Sequence, residues 1–272
     1  MSRKIHAMYF SATGTTENVV CGLASALAGT ATDDKAVHHI DFTLPEGRKT
    51  AVSFSENDLV VFGVPVYAGR VPNVLLTYIN TLKGQGAWAV PVVLFGNRHY
   101  DDALIELKDL LIAAGFQVVA GGAFVGEHSF SRTLGQNRPD ESDMALVRTF
   151  ADKIATKLTG DAPTAPVTVR GNKPYMPYYR PKNKDGVPVD IRKVSPKTNS
   201  DCTDCKLCAS VCPMGSIDVE DVSRVTGICI KCGACVKICP VQAKYYDDEH
   251  YLRHKHELEV DFSERKEPEF FV

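Results

Sequence analysis

Eight of the nine cysteines fall between Cys202 and Cys239, in two runs of the same spacing. Cys202, Cys205, Cys208 and Cys212 are followed by Pro213; Cys229, Cys232, Cys235 and Cys239 are followed by Pro240. Both runs spell C-x2-C-x2-C-x3-C-P. The stretches after each third cysteine also match, ASVCP against VKICP, so a short module has been duplicated. In such a run the first three thiolates ring one iron–sulfur cubane, and the fourth is carried on a short helix to the other cluster. The spacing therefore predicts one 4Fe–4S cluster on Cys202, Cys205, Cys208 and Cys239, and a second on Cys229, Cys232, Cys235 and Cys212. The prolines end each helix and donate no amide. Ala209, Gly233 and Ala234 are small enough for backbone amides to approach the sulfurs. Two structural zinc sites are the alternative, but zinc wants two C-x2-C pairs rather than triplets with a displaced fourth ligand. A disulfide framework fits a reducing compartment poorly.

Residues 200–244 resemble a bacterial ferredoxin with two 4Fe–4S clusters, and the match covers all eight ligands. The rest of the 272 residues divides into three zones. Residues 1–160 alternate apolar runs with helical patterns. Residues 161–199 hold seven of the fifteen prolines and eight Lys/Arg against three Asp, which excludes one helix or a central strand and predicts an extended basic linker. Its aromatic stretch PYMPYY at 174–179 suggests docking on the protein. Residues 245–272 form an acidic tail with nine Asp/Glu and four Lys/Arg, and His254 and His256 are expected to be solvated there. The net charge of −2 argues against nucleic-acid binding. No apolar run is long enough for a membrane span, and the opening MSRKIHAMYF runs straight into a strand-like segment; the expectation is a cytoplasmic protein.

The first zone reads as strands at 5–10, 37–41, 59–64, 88–95 and 116–125. Helices are predicted at 16–27, 73–82, 102–114 and 140–158. Five apolar strands with intervening helices imply a parallel sheet covered on both faces. The predicted class is α/β: a flavodoxin-like doubly wound five-stranded sheet plus a small α+β ferredoxin-like domain. No clear helix appears between 42 and 58.

The loop after the first strand is Ser11-Ala12-Thr13-Gly14-Thr15-Thr16. A helix start with hydroxyls and a glycine, and without Lys or Arg, suits one phosphate bound by amides. A serine- and threonine-rich N-cap is the plain alternative. The S-x-T-G-x-T pattern resembles the FMN-phosphate loop of flavodoxins. That resemblance implies that Pro65, Val66, Tyr67, Ala68, Gly69 and Arg70, with Gly96, Asn97, Arg98, His99, Tyr100 and Asp102, embrace the flavin ring. Tyr100 would stack on it, Tyr67 would flank it, and the Asn97 amide would reach its carbonyls. Flavodoxin rings usually sit among acidic residues; Arg70, Arg98 and His99 here would instead favour the reduced anion. A third loop, Gly126–Ser131, opens at the same end of the sheet, and His128 there, like His99, is a candidate proton donor. Cys21 reads as structural.

The whole chain resembles the flavodoxin–ferredoxin fusion proteins of anaerobes. The resemblance implies an electron-transfer protein that passes low-potential electrons between two 4Fe–4S clusters and FMN, and on to a redox partner protein or ferredoxin. Two alternatives are a flavin-dependent reductase of a small organic substrate and a non-redox zinc or structural protein. No G-x-G-x-x-G follows a strand, so no nicotinamide site is expected. A homodimer is expected.

Overall fold

The computed structural model describes residues 3–30, 36–159 and 165–272. The expected domain boundary at residue 160 lies outside the described residues, as does Pro163. The N-terminal part runs β1 (Lys4–Tyr9), α1 (Thr15–Thr30), β2 (Val37–Asp41), β3 (Asp58–Pro65), α2 (Asn73–Ile79), β4 (Trp88–Phe95), α3 (Ala103–Ala113), β5 (Gln117–Val118), β6 (Gly121–Val125) and α4 (Glu141–Leu158). The parallel strands lie in the order β2-β1-β3-β4-β6, with β5 also on β4. This is the doubly wound order of flavodoxin-like sheets, with the fifth strand in two pieces.

Strand alternation builds two cores. Ile5, Ala7 and Tyr9 face α1 and α4, where Val19, Leu23, Leu27, Phe150 and Ile154 are buried. Met8 and Phe10 face the other way, toward Leu75, Ile79, Leu104, Leu107 and Leu111 of α2 and α3. Asp140 starts α4 with a reciprocal capping box to Asp143.

Two elements differ from expectation. Helix α2 stops at Ile79 rather than Leu82, because the amides of Thr81 and Leu82 turn back to the carbonyls of Tyr78 and Ile79. The strand expected over 116–125 breaks between Val118 and Gly121. Ala89 pairs with Val118 but Val92 pairs with Gly122, so the later strand carries an extra residue that bulges out there. The break lies opposite Pro91, which has no amide to give. Between 42 and 58 the only helix among the described residues is one 3-10 turn, Pro45–Arg48.

The basic segment from 165 onward is fastened to the sheet's helical face. Val167 and Val169 are buried. The carboxylate of Asp102 accepts from the amides of Asn172 and Met176 at 2.8 and 2.6 Å. Tyr175 donates to Asp109 at 2.5 Å and Tyr178 donates to the Val71 carbonyl at 2.8 Å.

Beyond the strap lies a small module of β7 (Lys197–Thr198), α5 (Leu207–Ser210), α6 (Ala234–Ile238) and β8 (Lys244–Tyr245), with β7 antiparallel to β8. Its duplication reaches the backbone. Left-handed residues occur at Asp204, Lys206 and Gly215, and at the matching repeat positions Lys231, Gly233 and Gln242.

The acidic tail is not solvated, which corrects the sequence reading. It forms α7 (Glu249–Asp261) and β9 (Glu269–Phe271). β9 adds an antiparallel edge strand to β6, pairing Gly121 with Phe271 and Ala123 with Glu269, and Phe270 packs on Phe150 at 5.0 Å. His254 is buried, stacked on Tyr179 at 5.6 Å; His256 is exposed, as expected.

Candidate redox site

The eight repeat cysteines form two sets. Cys212, Cys229, Cys232 and Cys235 line one cavity of about 360 Å³. Cys202, Cys205, Cys208 and Cys239 line a second of about 310 Å³. These are the crossed sets read from the spacing. Each set rings a volume rather than a point, which is what a cubane with one thiolate per iron requires. Backbone amides already reach the sulfurs: Asp204 to Cys202 at 3.4 Å, Ser216 to Cys212 at 3.3 Å and Ala243 to Cys239 at 3.2 Å. The bonds on Cys212 and Cys239 occupy the same place in the two repeats. Burial pushes the Cys232 and Cys235 thiols up to about 12, so bound iron would have to supply the positive charge that ionises them. The residues present fit two 4Fe–4S clusters.

A third cleft, about 440 Å³, opens at the carboxyl ends of β1, β3, β4 and β6, where doubly wound sheets bind ligands. Ala12, Thr13, Thr15 and Thr16 form one end, with Pro65, Val66, Tyr67 and Gly96 beyond them. Gly126, Glu127, His128 and Ser129 close another wall. Gly14 takes a left-handed φ of +84° with open space around it. The Ser11 hydroxyl accepts from the Glu17 amide at 3.0 Å, so it caps α1. Tyr67 is held by a two-residue turn: Tyr67 and Arg70 exchange backbone bonds at 3.0 and 3.1 Å, and Ala68 and Gly69 both take positive φ.

Most of the polar residues expected around a flavin ring are engaged elsewhere. Tyr100 is buried against Phe95 and donates to Glu269 of β9 at 2.8 Å, so it faces the edge strand and not the cleft. Arg70 forms a bidentate pair with Glu106 at 2.7 Å and also donates to the Met176 carbonyl. Arg98 pairs with Asp101 and lies over the Tyr179 ring. The Asn97 amide bonds to the Phe95 carbonyl, and its side chain donates to Phe262 and Glu264 carbonyls. His99 stacks on Tyr100 at 4.9 Å and Asp102 holds the strap. The sequence signal for most of these roles was absent, because Glu269, Glu106, Met176, Tyr179, Phe262 and Glu264 lie in the strap, in the tail or on α3.

His128 does face the cleft. Its Nδ1 accepts the Phe130 amide at 3.1 Å, which leaves the proton on Nε2. Its ring sits where a Cβ on Gly96 would be, 2.4 Å from Cδ2, so only glycine fits at 96. Burial, then the charges of Lys237, His254 and Arg98, hold the imidazole down at about 3. It is therefore a neutral hydrogen-bond donor rather than an acid.

The cysteine module closes on this cleft. A Cβ on Gly233 would lie 2.2 Å from the Ser129 carbonyl, and Gly233 has φ +74°. Lys237 of α6 donates to Glu127 at 2.5 Å and to the His128 carbonyl at 2.8 Å. Arg132 donates to the Val236 carbonyl at 3.0 Å. Burial raises the Tyr67 phenol, and the charges of Cys232 and Cys229 add to that rise. An aromatic chain runs round the same junction: the Tyr246 hydroxyl is 3.6 Å from Cys229, Tyr246 stacks on Tyr251 at 4.2 Å, and Tyr251 packs on Phe130 at 4.5 Å. Lys237, Tyr246 and Tyr251, and the docking of the cysteine module on Ser129 of the third loop, escaped sequence reading, because contact between the two parts leaves no local pattern.

Comparison with known proteins agrees on the cysteine module. The 4Fe-4S dicluster domain family matches residues 201–244. No curated protein matches the chain. Similar solved structures include a flavodoxin from the domain Archaea, 15% identical over 58% of this chain and 99% of that one, TM-score 0.40. The apo form of the NADH:FMN oxidoreductase EMOB is 16% identical over 60% of this chain and 94% of that one, TM-score 0.41. The rubredoxin oxygen:oxidoreductase of Desulfovibrio gigas is 18% identical over 57% of this chain and 36% of that one, TM-score 0.39. At such scores these likenesses add nothing to the strand order, which by itself defines the flavodoxin-like sheet. The chain thus joins a flavodoxin-like α/β sheet to a C-terminal 4Fe–4S ferredoxin-type domain. Among the described residues no helix is long and apolar enough to cross a membrane.

Proposed function

We propose that this chain is an electron-transfer protein that binds FMN in the cleft at the strand ends and two 4Fe–4S clusters in the thiol-lined cavities. Bound FMN would supply one- or two-electron chemistry and each cluster one-electron chemistry. The free amides at the start of α1, with Thr13, Thr15 and Thr16, would hold the phosphate. Tyr67 would lie against the ring, and His128 would give it an uncharged N–H. Lys237 fixes His128 by its carbonyl, and Gly233 lets the module seat against Ser129.

The observation that carries this reading is the contact of the Cys229–Cys239 repeat with the cleft wall at Ser129 and His128. It supports a proximal cluster on Cys212, Cys229, Cys232 and Cys235, and a distal one on the other set. Cys205 of the distal set is exposed, so a redox partner protein would exchange electrons there. The same contact covers a side of the cleft that a small organic substrate would need, which favours relay over a substrate reductase.

The test is anaerobic purification, cofactor assay and rapid mixing with a reductant. FMN and two 4Fe–4S clusters per chain, with electrons equilibrating between them inside one molecule, are expected. Absence of flavin, or clusters that stay reduced beside oxidised FMN, would sink the proposal.

A further inference from the structure

Lys244 is among the largest fully buried side chains of the protein, with 2% of its surface exposed. Buried lysines are rare unless paired with a carboxylate. Among the described residues Lys244 has none: its ammonium donates to the Val222 carbonyl, and no ion pair includes it. Its backbone is fixed by the pairing of β8 with β7, opposite Thr198. It lines the cavity of Cys202, Cys205, Cys208 and Cys239. Its strand β8 also packs against α6, the helix that carries Cys235 of the other set. Lys244 is thus a buried cation at one thiol set, on a strand that packs against the other set's helix, whereas Lys206, which lines the same cavity, is partly exposed and pairs with Asp204.

We infer that Lys244 is a positioning charge shared by the two clusters, which raises both reduction potentials by holding a buried positive charge between them. The inference rests on the reading that both thiol sets hold 4Fe–4S clusters. Each cluster gains one electron on reduction and so one negative charge, with no bond made or broken. A fixed ammonium nearby stabilises that added charge more than it stabilises the oxidised form. Because the group is buried, salt screens the effect little. The thiolates in turn are the counter-charge that makes a buried lysine tolerable at this place. Placing one cation on both sites also keeps their potentials from drifting apart, which suits transfer in either direction.

The experiment is an anaerobic redox titration of the holoprotein, read by electron paramagnetic resonance, for the wild type, Lys244→Met, Lys244→Gln and Lys244→Arg. Iron content and the cluster spectra are measured first. A wild type without two clusters would overturn the cluster reading itself, which is a separate failure. With two clusters present, Lys244→Met and Lys244→Gln should each lower both potentials, so that at a fixed potential the reduced-to-oxidised ratio of each cluster falls about ten-fold, or about 59 mV for one electron. Lys244→Gln keeps a donor for the Val222 carbonyl, so it separates charge from packing if the Met variant loses its clusters. Lys244→Arg should keep both potentials near wild type. A shift of less than two-fold in the neutral variants, a shift of one cluster only, or an equal shift in the Arg variant would each overturn the inference.

Discussion

At Gly233 the close seat of the cysteine module on Ser129 depends on a missing side chain. A Cβ there would lie 2.2 Å from the Ser129 carbonyl, and φ is +74°. Gly233→Ala should cost at least about 1–2 kcal/mol from backbone strain alone, and roughly 2–4 °C of Tm per kcal/mol in a chain this long. A thermal melt checks the stability. The same variant should slow exchange between FMN and the proximal cluster; a wild-type melt would show that the contact is looser than drawn. His128 gives a pH prediction. Its folded pKa, about 3, lies below the ordinary 6.5. Between those values the unfolded chain binds the proton and the folded chain does not, so stability rises with pH across the window and is lost as pH falls from about 6.5 toward 3. Lys237, His254 and Arg98 push this way, and Glu259 opposes them. His254, held low by burial, adds to the same slope. Melts between pH 8 and 5 should show Tm falling with acid, and His128→Asn should flatten part of that fall.

Among the elements, β9 is the one whose removal tells most. It covers the edge of β6, sets Phe270 against Phe150 and gives Tyr100 its acceptor at Glu269. A chain ending at Pro268 should lose roughly 2–3 kcal/mol, because Phe270 and Phe271 are half-buried and the loss falls below that of a fully buried aromatic, and should aggregate through the bare edge of β6. Glu269→Gln keeps an acceptor for Tyr100 and gives up the exposed pair with Arg170, so it should cost less than about 1 kcal/mol. Denaturant melts of both variants check the contrast. The same strand explains where sequence reading stopped. Strands β3 and β4 were the most legible because each is a continuous apolar run, whereas β2, Val37–Asp41, carries two histidines and an aspartate and has no long helix after it; the order followed from doubly wound chirality. β9 is a very short strand in a charged segment, and its partner β6 lies more than half the chain earlier. Nothing local in Tyr100 says that Glu269 will take its hydroxyl, and so a residue that resembled a flavin-stacking tyrosine is part of the core. Arg70 failed to reach the cleft for the same reason, since Glu106 and the strap carbonyl of Met176 hold it.

For the whole molecule, the cysteine sets were readable because metal ligation imposes its own spacing, while the docking of one part on the other was not. If the cleft holds FMN and both thiol sets hold clusters, as proposed, that docking puts them in order, with the set of Cys232 on the side of the cleft and the set of Cys205 beyond it. The order is tested by removing one ligand from each set. Cys232→Ser takes a buried thiol from the proximal set, and Cys205→Ser takes the exposed thiol from the distal set. Each variant should retain about four irons, one cubane, measured by iron assay and low-temperature spectra. In Cys205→Ser the remaining cluster should still exchange electrons with FMN at the wild-type rate, while reduction by an external protein carrier slows, because the outer port is gone. In Cys232→Ser the remaining cluster should be reduced by the carrier as before, and the flavin should lag behind it by orders of magnitude, because the step across Tyr67 and Ser129 has lost its donor. Equal effects in the two variants would mean that both clusters reach the flavin independently, and the linear order would be wrong.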